Sequence, residues 1–166
     1  MASSSTVRNL RDGQIVIKDG TVSGGPLTSA ALCDTGDLRW SMPEETNLIR
    51  CRGVLVGQRD GDAQPLELSF STKWSQLINY TTDSSESHVI YEMVENIGST
   101  YTSTAAGKYC LDYEFTVADP AGGTLTGEKI VFNDVYKTNL QCGEGDEFNT
   151  IEFTGGSISS PTITRV

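Results

Sequence analysis

The chain of 166 residues is 37% hydrophobic and 20% charged, with 17 glycines and a formal net charge of −10. A domain of this length buries roughly two-thirds of its unfolded surface and folds without metal or disulfide staples. The acidic balance argues against a nucleic-acid-binding protein, because such proteins neutralise phosphates with Lys and Arg. No apolar run approaches the roughly 20 residues that span a bilayer, and the N-terminus lacks a secretory apolar core. We therefore expect no membrane partner and synthesis in the cytoplasm.

The N-terminal region is predicted to contain an arm and three short strands. Residues 1–13 have too little apolar content to pack alone and are predicted to be an N-terminal arm. Residues 14–18 alternate as a strand, with Ile15 and Ile17 on one face. Two further strands, residues 27–33 and 37–41, are predicted to pair through the turn at residues 34–36.

The middle of the chain predicts a long projecting hairpin. Residues 47–58 are rich in β-branched and aliphatic side chains, and residues 66–74 alternate between apolar and polar positions. Between them lies an Asp-Gly pair, which is a strong hairpin signal. We predict that this hairpin contacts a neighbouring subunit through Gln58, Arg59, Asp60, Gly61 and Asp62.

One helix is predicted over residues 86–97. Asp83 and Glu86 have the spacing of a capping box, and Gly98 is a natural stop. The apolar residues recur at helical spacing and form one stripe that should pack against the sheets. This stripe consists of Val89, Ile90, Met93, Val94 and Ile97.

The C-terminal part predicts a meander of antiparallel strands. The clearest is residues 108–117, where apolar and polar side chains alternate without a slip before the turn at residues 119–123. Further strands are predicted at residues 128–132, 135–142 and 147–154. Together these patterns predict an all-β domain over residues 14–157, with two packed sheets or a partly open barrel, and a C-terminal arm at residues 158–166.

Catalytic and metal motifs are weak in this sequence. The single histidine, His88, is predicted to be a solvated helix residue. Asp112 and Glu114 share a strand face and are a candidate carboxylate pair for a hydrolase, although exposed strands carry such pairs routinely. The four cysteines lack the paired spacing of a zinc site, and the Asp-Gly turns lack the spacing of an EF-hand. We therefore predict no enzyme activity, no metal and no cofactor.

The order of these elements resembles that of the major tail proteins of long, non-contractile-tailed bacteriophages. The resemblance covers roughly residues 12–157 and is carried by patterns of strand and turn. The matching runs are Asp37-Leu38-Arg39-Trp40, the segment at residues 59–70, the helix, the segment at residues 112–120 and the segment at residues 144–150. The fold is similar to that of type VI secretion tube proteins as well.

The resemblance implies hexameric rings that stack into a tail tube of the virion, through which DNA passes without specific binding. It also implies partners among other tail proteins, such as a tape measure protein, a tail tip and a terminator. On this hypothesis the polar side of the long strands lines an acidic lumen that repels phosphates. The lumen-facing candidates are Glu67, Ser69, Asp112 and Glu114. The alternative is a β-sandwich module that binds a glycan or a protein through Trp40 or Trp74.

Overall fold

The computed structural model describes residues 13–31, 38–74, 76–79, 88–99, 101–117, 127–145 and 149–165. Strands make up 56% of it, and the predicted fold class, all-β with antiparallel sheets and one short helix, is confirmed. The strands are β1 (Gly13–Lys18), β2 (Thr28–Ala31), β3 (Arg39–Ser41), β4 (Thr46–Cys51), β5 (Val54–Asp60), β6 (Leu66–Lys73), β7 (Cys110–Val117), β8 (Glu128–Gly143), β9 (Thr150–Ser157) and β10 (Thr162–Arg165). The helix α1 (Ile90–Glu95) precedes a 3₁₀ turn at Ile97–Ser99.

Eight strands form one antiparallel sheet that rolls up around the core. The strand order is β2-β1-β7-β8-β9-β6-β3, with β10 also paired to β8. Three strand steps separate β6 from β7, about 14 Å in a flat sheet, yet the ring centroids of Phe70 and Tyr113 lie 5.7 Å apart. Trp40 on β3 and Phe132 on β8 are also three steps apart, and their centroids lie 5.8 Å apart. The sheet is therefore a partly open barrel with its core inside.

Alternation along the strands decides which side chains fill this barrel. On β6 the even positions from Leu66 to Thr72 are buried, and on β7 the odd positions from Leu111 to Val117 are buried, as predicted from the sequence. Phe153 on β9 joins the same cluster. Each fully buried apolar side chain contributes about 1.5–3 kcal/mol, so this interior dominates the stability of the domain.

The predicted pairing of the two short strands near residues 27–41 is wrong. β2 pairs with β1 at one end of the sheet, whereas β3 pairs with β6 at the other end. The predicted turn at residues 34–36 lies outside the described residues. β2 buries Ser29 and Ala31 beside β1, whereas β3 is exposed and lies along the edge of β6, so proximity along the chain does not decide either partner.

The projecting hairpin exists, but its turn is not at the Asp-Gly pair. β4 and β5 form a separate two-stranded sheet in which Cys51 pairs with Val54. The tip is therefore Arg52-Gly53, where both residues have positive φ, 47° and 82°. A two-residue turn with both residues left-handed matches the twist of the flanking strands.

The predicted turn at Asp60-Gly61 instead forms the base of this hairpin. Asp60 ends β5 opposite Thr46, and the Gly61 N–H donates a 2.7 Å hydrogen bond to the Glu45 carbonyl. The predicted partner strand, β6, pairs with β3 and β9. A long hairpin made from residues 47–58 and 66–74 is therefore wrong.

The strands predicted at residues 128–132 and 135–142 are one strand, β8. Asp134, which the sequence pattern marked as a break, has a φ of 52° and lies within the strand. The Asp112 carboxylate accepts a 2.9 Å hydrogen bond from the Asp134 N–H, next to the point where the β7–β8 register shifts. A side chain on the partner strand thus satisfies the irregular backbone, so the chain bends without turning back.

The C-terminal segment has a partner strand in its own chain. β10 pairs with the first part of β8, from Thr162 opposite Val131 to Arg165 opposite Glu128. β7 occupies the other edge of β8 over the same residues, so β10 lies along the edge that β9 occupies further on. Its four residues are exposed, and the sequence pattern did not reveal this pairing.

The helix is shorter than predicted. It begins after Val89, which makes no side-chain cap, and ends at Glu95, because the next residue, Asn96, has a left-handed φ of 51° and stops the helix two residues before Gly98. The capping residues that were predicted, Asp83 and Glu86, lie outside the described residues. Within the apolar stripe, Ile90, Met93 and Val94 are buried and join the core, whereas Val89 and Ile97 are half-buried.

Candidate assembly surfaces

The hairpin of β4 and β5 exposes apolar side chains on both of its faces. Neighbouring residues on a strand point to opposite faces, and the exposed residues include the neighbours Leu48 and Ile49 on β4 and Val54, Leu55 and Val56 on β5. Their exposed fractions range from 47% to 65%. A two-stranded hairpin is marginally stable in water by itself. A surface of this kind is typical of a protein interface.

Charge is segregated along this hairpin. Residues 46–59 contain three arginines, Arg50, Arg52 and Arg59, and no acidic residue, in a chain whose net charge is −10. The flanking segments at the base, residues 42–45 and 60–64, contain four carboxylates and no basic residue. Of these groups, Arg59, Asp60 and Asp62 were predicted from the sequence to contact a neighbouring subunit. The segregation of charge was not, although it is visible there: two glutamates, three arginines and two aspartates follow one another between residues 44 and 62.

The carboxylates at the base border an open cleft of about 430 Å³. Its walls include the acidic residues Glu44, Glu45, Asp60 and Asp62, and the apolar side chains of Met42 and Ile158 are exposed beside them. Glu45 accepts a hydrogen bond from the Gln64 side chain. Within the described ranges, Glu44, Asp60 and Asp62 take part in no ion pair.

The residues predicted for the inter-subunit hairpin lie at its base. Gln58, Arg59 and Asp60 are the last residues of β5, and Gly61 and Asp62 follow in the link to β6. All except Gly61 are exposed. Added bulk at Gly61 has no room, because a Cβ there would lie 2.5 Å from the Glu45 side chain.

The four lumen candidates lie on two different sides of the barrel. Ser69 and Glu67 are on the outer face of β6, and Asp112 and Glu114 are on the outer face of β7. The inward residues of these strands, Phe70 and Tyr113, meet across the core, so the outward side chains diverge. The two pairs therefore cannot line the same side of one channel.

Glu114 is already neutralised by two lysines. Its carboxylate lies 2.6 Å from the Lys18 amine and 2.8 Å from the Lys129 amine. Desolvation acts to raise the pKa of Glu114, but the hydrogen bonds and charges of Lys129 and Lys18 outweigh it, and the net pKa is lowered. Strand pairing places the lysines of β1 and β8 beside β7, so Glu114 is a compensated carboxylate.

The pKa of Asp112 is shifted in the opposite direction. Burial raises its pKa, and the nearby Asp134 carboxylate adds to this, while the hydrogen bond from the Asp134 N–H opposes it. Both members of the candidate hydrolase pair thus have structural partners on the strand surface. A carboxylate pair that bends a strand and bridges two lysines has an adequate structural role.

The prediction that His88 is solvated is wrong. His88 precedes α1 and is 5% exposed. Its Nδ1 lies 3.2 Å from the Tyr101 hydroxyl oxygen, and its backbone carbonyl accepts a hydrogen bond from Ser29. Desolvation, followed by the charges of Glu92 and Asp19, raises the pKa of Tyr101 to about 12, which keeps its hydroxyl neutral.

Nearby buried carboxylates also hold backbone groups. The Asp19 side chain accepts hydrogen bonds from the N–H groups of Thr21, Leu27 and Thr102, and Glu92 accepts one from Asn79. These hydrogen bonds hold the loops against the barrel.

Across the described ranges, no cluster of three or more His, Cys, Asp or Glu residues has the arrangement of a metal site. Nor does any described helix have the length and hydropathy to cross a membrane.

Trp40, the candidate contact of a binding module, lies at the margin of the core. It is 40% exposed, and its ring packs edge-on against Phe132. Trp74 is half-buried, and its indole N–H is enclosed with no hydrogen-bond partner among the described residues. Of the two, Trp40 is the more accessible, and it borders an open cleft of about 380 Å³ together with Tyr136.

Comparison with known proteins gives matches in structure but none in sequence. No protein-family profile and no curated protein matches the chain. A chain of the sheath-tube complex of the PVC extracellular contractile injection system, in the extended state, aligns over 98% of this chain and 95% of its own, with a TM-score of 0.56 and 9% identity. A chain of the anti-feeding prophage cap, which terminates the AFP tube, aligns over 100% and 95%, with a TM-score of 0.53 and 14% identity.

A third structural neighbour is a chain of the PVC sheath/tube terminator, which aligns over 90% of this chain and 92% of its own with a TM-score of 0.52 and 12% identity. At such low identities the likeness shows a shared fold. The fold is tail-tube-like, as the resemblance implied. These three structural neighbours come from contractile injection systems, so the non-contractile class stays a prediction from the resemblance.

Proposed function

We propose that this protein is the structural subunit of a phage-type tail tube, in which hexameric rings stack into a conduit. The observation that carries the proposal is the hairpin of β4 and β5, which exposes apolar side chains on both of its faces. A hairpin of this kind gains stability when other subunits cover it. The tail-tube-like fold supports the same assembly.

The contacts of a tube are head-to-tail. One contact that closes on itself gives a ring, and a second contact between ring faces gives a filament. The barrel offers outer strand edges on β2, β3 and β10 that pair with no other described strand. Ring neighbours would use such edges, and the hairpin would reach into the next ring. Partners at the ends of the tube would be other tail proteins, and the assembled site of action would be the virion tail.

The lumen would be lined by the outer face of β6 and β9. Ser69 pairs with Thr154 and Ser71 with Glu152, so these side chains share a face with Glu67. This face carries the carboxylates of Glu67 and Glu152 among small hydroxyls, and its cationic groups are Arg39, opposite Ser69, and Lys73 at the end of β6. The outer face of β7 is less suited, because Glu114 there is compensated by Lys18 and Lys129. DNA would pass along the outer face of β6 and β9 without specific binding.

Negative-stain electron microscopy of the concentrated protein tests this function. We expect rings with six-fold class averages and tubes of stacked rings, together with a sedimentation coefficient that rises with protein concentration. A protein that remains monomeric at all concentrations, alone and in the presence of a tail tip complex, contradicts the proposal.

A further inference from the structure

The geometry points to a specific docking contact: the basic tip of the hairpin of one copy binds the acidic cleft at the hairpin base of another copy. This inference rests on the proposed function and deepens it, since it identifies the two surfaces that join subunits head to tail. The tip is defined by Arg50, Arg52 and the apolar pair Val54 and Leu55. The cleft is defined by Glu44, Asp60, Asp62 and Ile158.

The two surfaces are complementary in charge. Arg50 and Arg52 are exposed and form no ion pair within the described ranges. The cleft carries carboxylates that are likewise exposed and not ion-paired in the described part of the chain. Among the described residues, each surface thus concentrates one sign of charge, with Arg59 as the one cation beside the cleft carboxylates, and this arrangement steers association and fixes its register.

The two surfaces also match in their apolar parts. Val54 and Leu55 beside the tip are 65% and 54% exposed, and Met42 and Ile158 beside the cleft are 53% and 91% exposed. An opening of about 430 Å³ accommodates several side chains of a hairpin end. Apolar contact at the centre with charges at the rim is the usual anatomy of a protein interface.

The tip cannot reach the cleft of its own chain. Both belong to one hairpin, and six residues of β4 separate the base from the tip, which holds them about 20 Å apart. The occupant of the cleft is therefore a second copy. Because tip and cleft are different surfaces, the contact is heterologous and repeats from copy to copy, as a ring or a filament requires.

A charge-swap experiment tests this contact. In the tip variant, Arg50→Glu is combined with Arg52→Glu. In the cleft variant, Asp60→Arg is combined with Asp62→Arg. Arg50 and Arg52 are unchanged in this variant, so its tip and its cleft are both basic. We expect each variant alone to raise the critical concentration for assembly at least about tenfold. We expect an equimolar mixture of the two variants to assemble near the wild-type concentration. In the mixture, the acidic tip of the tip variant binds the basic cleft of the cleft variant, and the basic tip of the cleft variant binds the acidic cleft of the tip variant.

The matched control is Arg50→Lys with Arg52→Lys, which keeps the charge and should assemble like wild type. All of the substituted residues are exposed, and circular dichroism with thermal unfolding verifies that each variant is folded. The contact is overturned if wild type forms tubes while the tip variant assembles equally well. It is also overturned if the cleft variant loses assembly while the tip variant keeps it, since another basic segment would then occupy the cleft. If wild type itself forms no ring or tube, the proposed function fails instead.

Discussion

At the scale of single residues, Gly155 on β9 is needed because two neighbours leave no room for a Cβ. A Cβ at this position would lie 2.6 Å from the Tyr136 carbonyl oxygen and 2.7 Å from the Phe153 ring. We expect Gly155→Ala to destabilise the domain by about 1–3 kcal/mol, since the backbone of β8 cannot move aside without breaking the sheet. Urea unfolding measures the change.

The control for this prediction is Gly143→Ala at the end of β8. Among the described residues, its Cβ would meet only the Thr150 hydroxyl, at 3.5 Å, which is an ordinary contact. We expect a change within about 0.5 kcal/mol. Equal losses in the two variants would show that the crowding at Gly155 is relieved in solution.

Glu114 predicts a pH dependence of stability with a definite sign. Its pKa in the folded state is lowered, because Lys129 and Lys18 outweigh desolvation. The stabilisation it provides is therefore complete above its unfolded pKa and is lost as the pH falls through the folded value. We expect Glu114→Gln to reduce the free energy of unfolding at pH 7 and to have little effect at pH 2–3, as measured by urea unfolding across this range.

Asp112 is the control for this prediction, because its contribution to stability should change with pH in the opposite direction. Desolvation raises its pKa, so its ionisation opposes folding, and the loss from Asp112→Asn should be larger at acid pH than at pH 7. Parallel pH profiles for the two variants would contradict the distinct environments described above. A sequence pattern that places both carboxylates on one strand face cannot distinguish them, because the lysines of Glu114 come from β1 and β8 and the partner of Asp112 is a backbone N–H.

At the scale of elements, the buried stripe of α1 makes a clear prediction. Val94 is 3% exposed, whereas Val56 on the hairpin is 61% exposed. Val94→Asp buries a charge without a partner and should cost about 3 kcal/mol or more, enough to lower the yield of soluble protein. Val56→Asp should leave the unfolding temperature nearly unchanged and weaken assembly. Thermal unfolding of both variants measures the contrast, and an unaltered transition in Val94→Asp would contradict the burial of the stripe.

The hairpin can be removed without disturbing the barrel. Glu45 and Gly61 are joined by a backbone hydrogen bond of 2.7 Å, so a Gly-Ser link in place of residues 46–60 spans the gap. These residues are exposed or half-buried and contribute no member of the core. We expect a folded protein that sediments as a small species at concentrations where wild type assembles. Tubes formed by the protein that lacks the hairpin would show that the hairpin is not needed for assembly.

Elements differ in how well sequence patterns predict them. The strands β6 and β7 were predicted with the correct inward residues, because a period of two reports burial directly. The hairpin tip was missed, because Arg52 has to adopt a left-handed conformation that its side chain disfavours, while the nearby Asp-Gly pair has the stronger turn chemistry. The strands that pair with β2, β3 and β10 could not be predicted from the sequence, since this pairing depends on how the sheet rolls.

At the scale of the whole molecule, the rolled sheet restricts which residues can meet a channel. The outward faces of β6 and β7 diverge, because Phe70 and Tyr113 meet across the core between them. A tube wall built from this barrel turns only one of these faces to the lumen. Of the candidates, Glu67 and Ser69 on β6 lie beside Thr154, whereas Asp112 and Glu114 on β7 are engaged by a backbone N–H and two lysines.

Charge reversal on each face separately tests this choice in assembled tails. We expect Glu67→Lys combined with Ser69→Lys to leave tubes intact and to slow genome ejection most strongly at low salt, because exposed lysines repeated around a ring bind phosphates and this attraction is screened by added salt. The corresponding pair on β7, Asp112→Lys with Glu114→Lys, places new positive charge beside Lys18 and Lys129. It should therefore lower the unfolding temperature and leave ejection unchanged in the tails that form. Ejection that slows with the β7 pair and stays normal with the β6 pair, in tails verified to contain the variants, would place the lumen on β7.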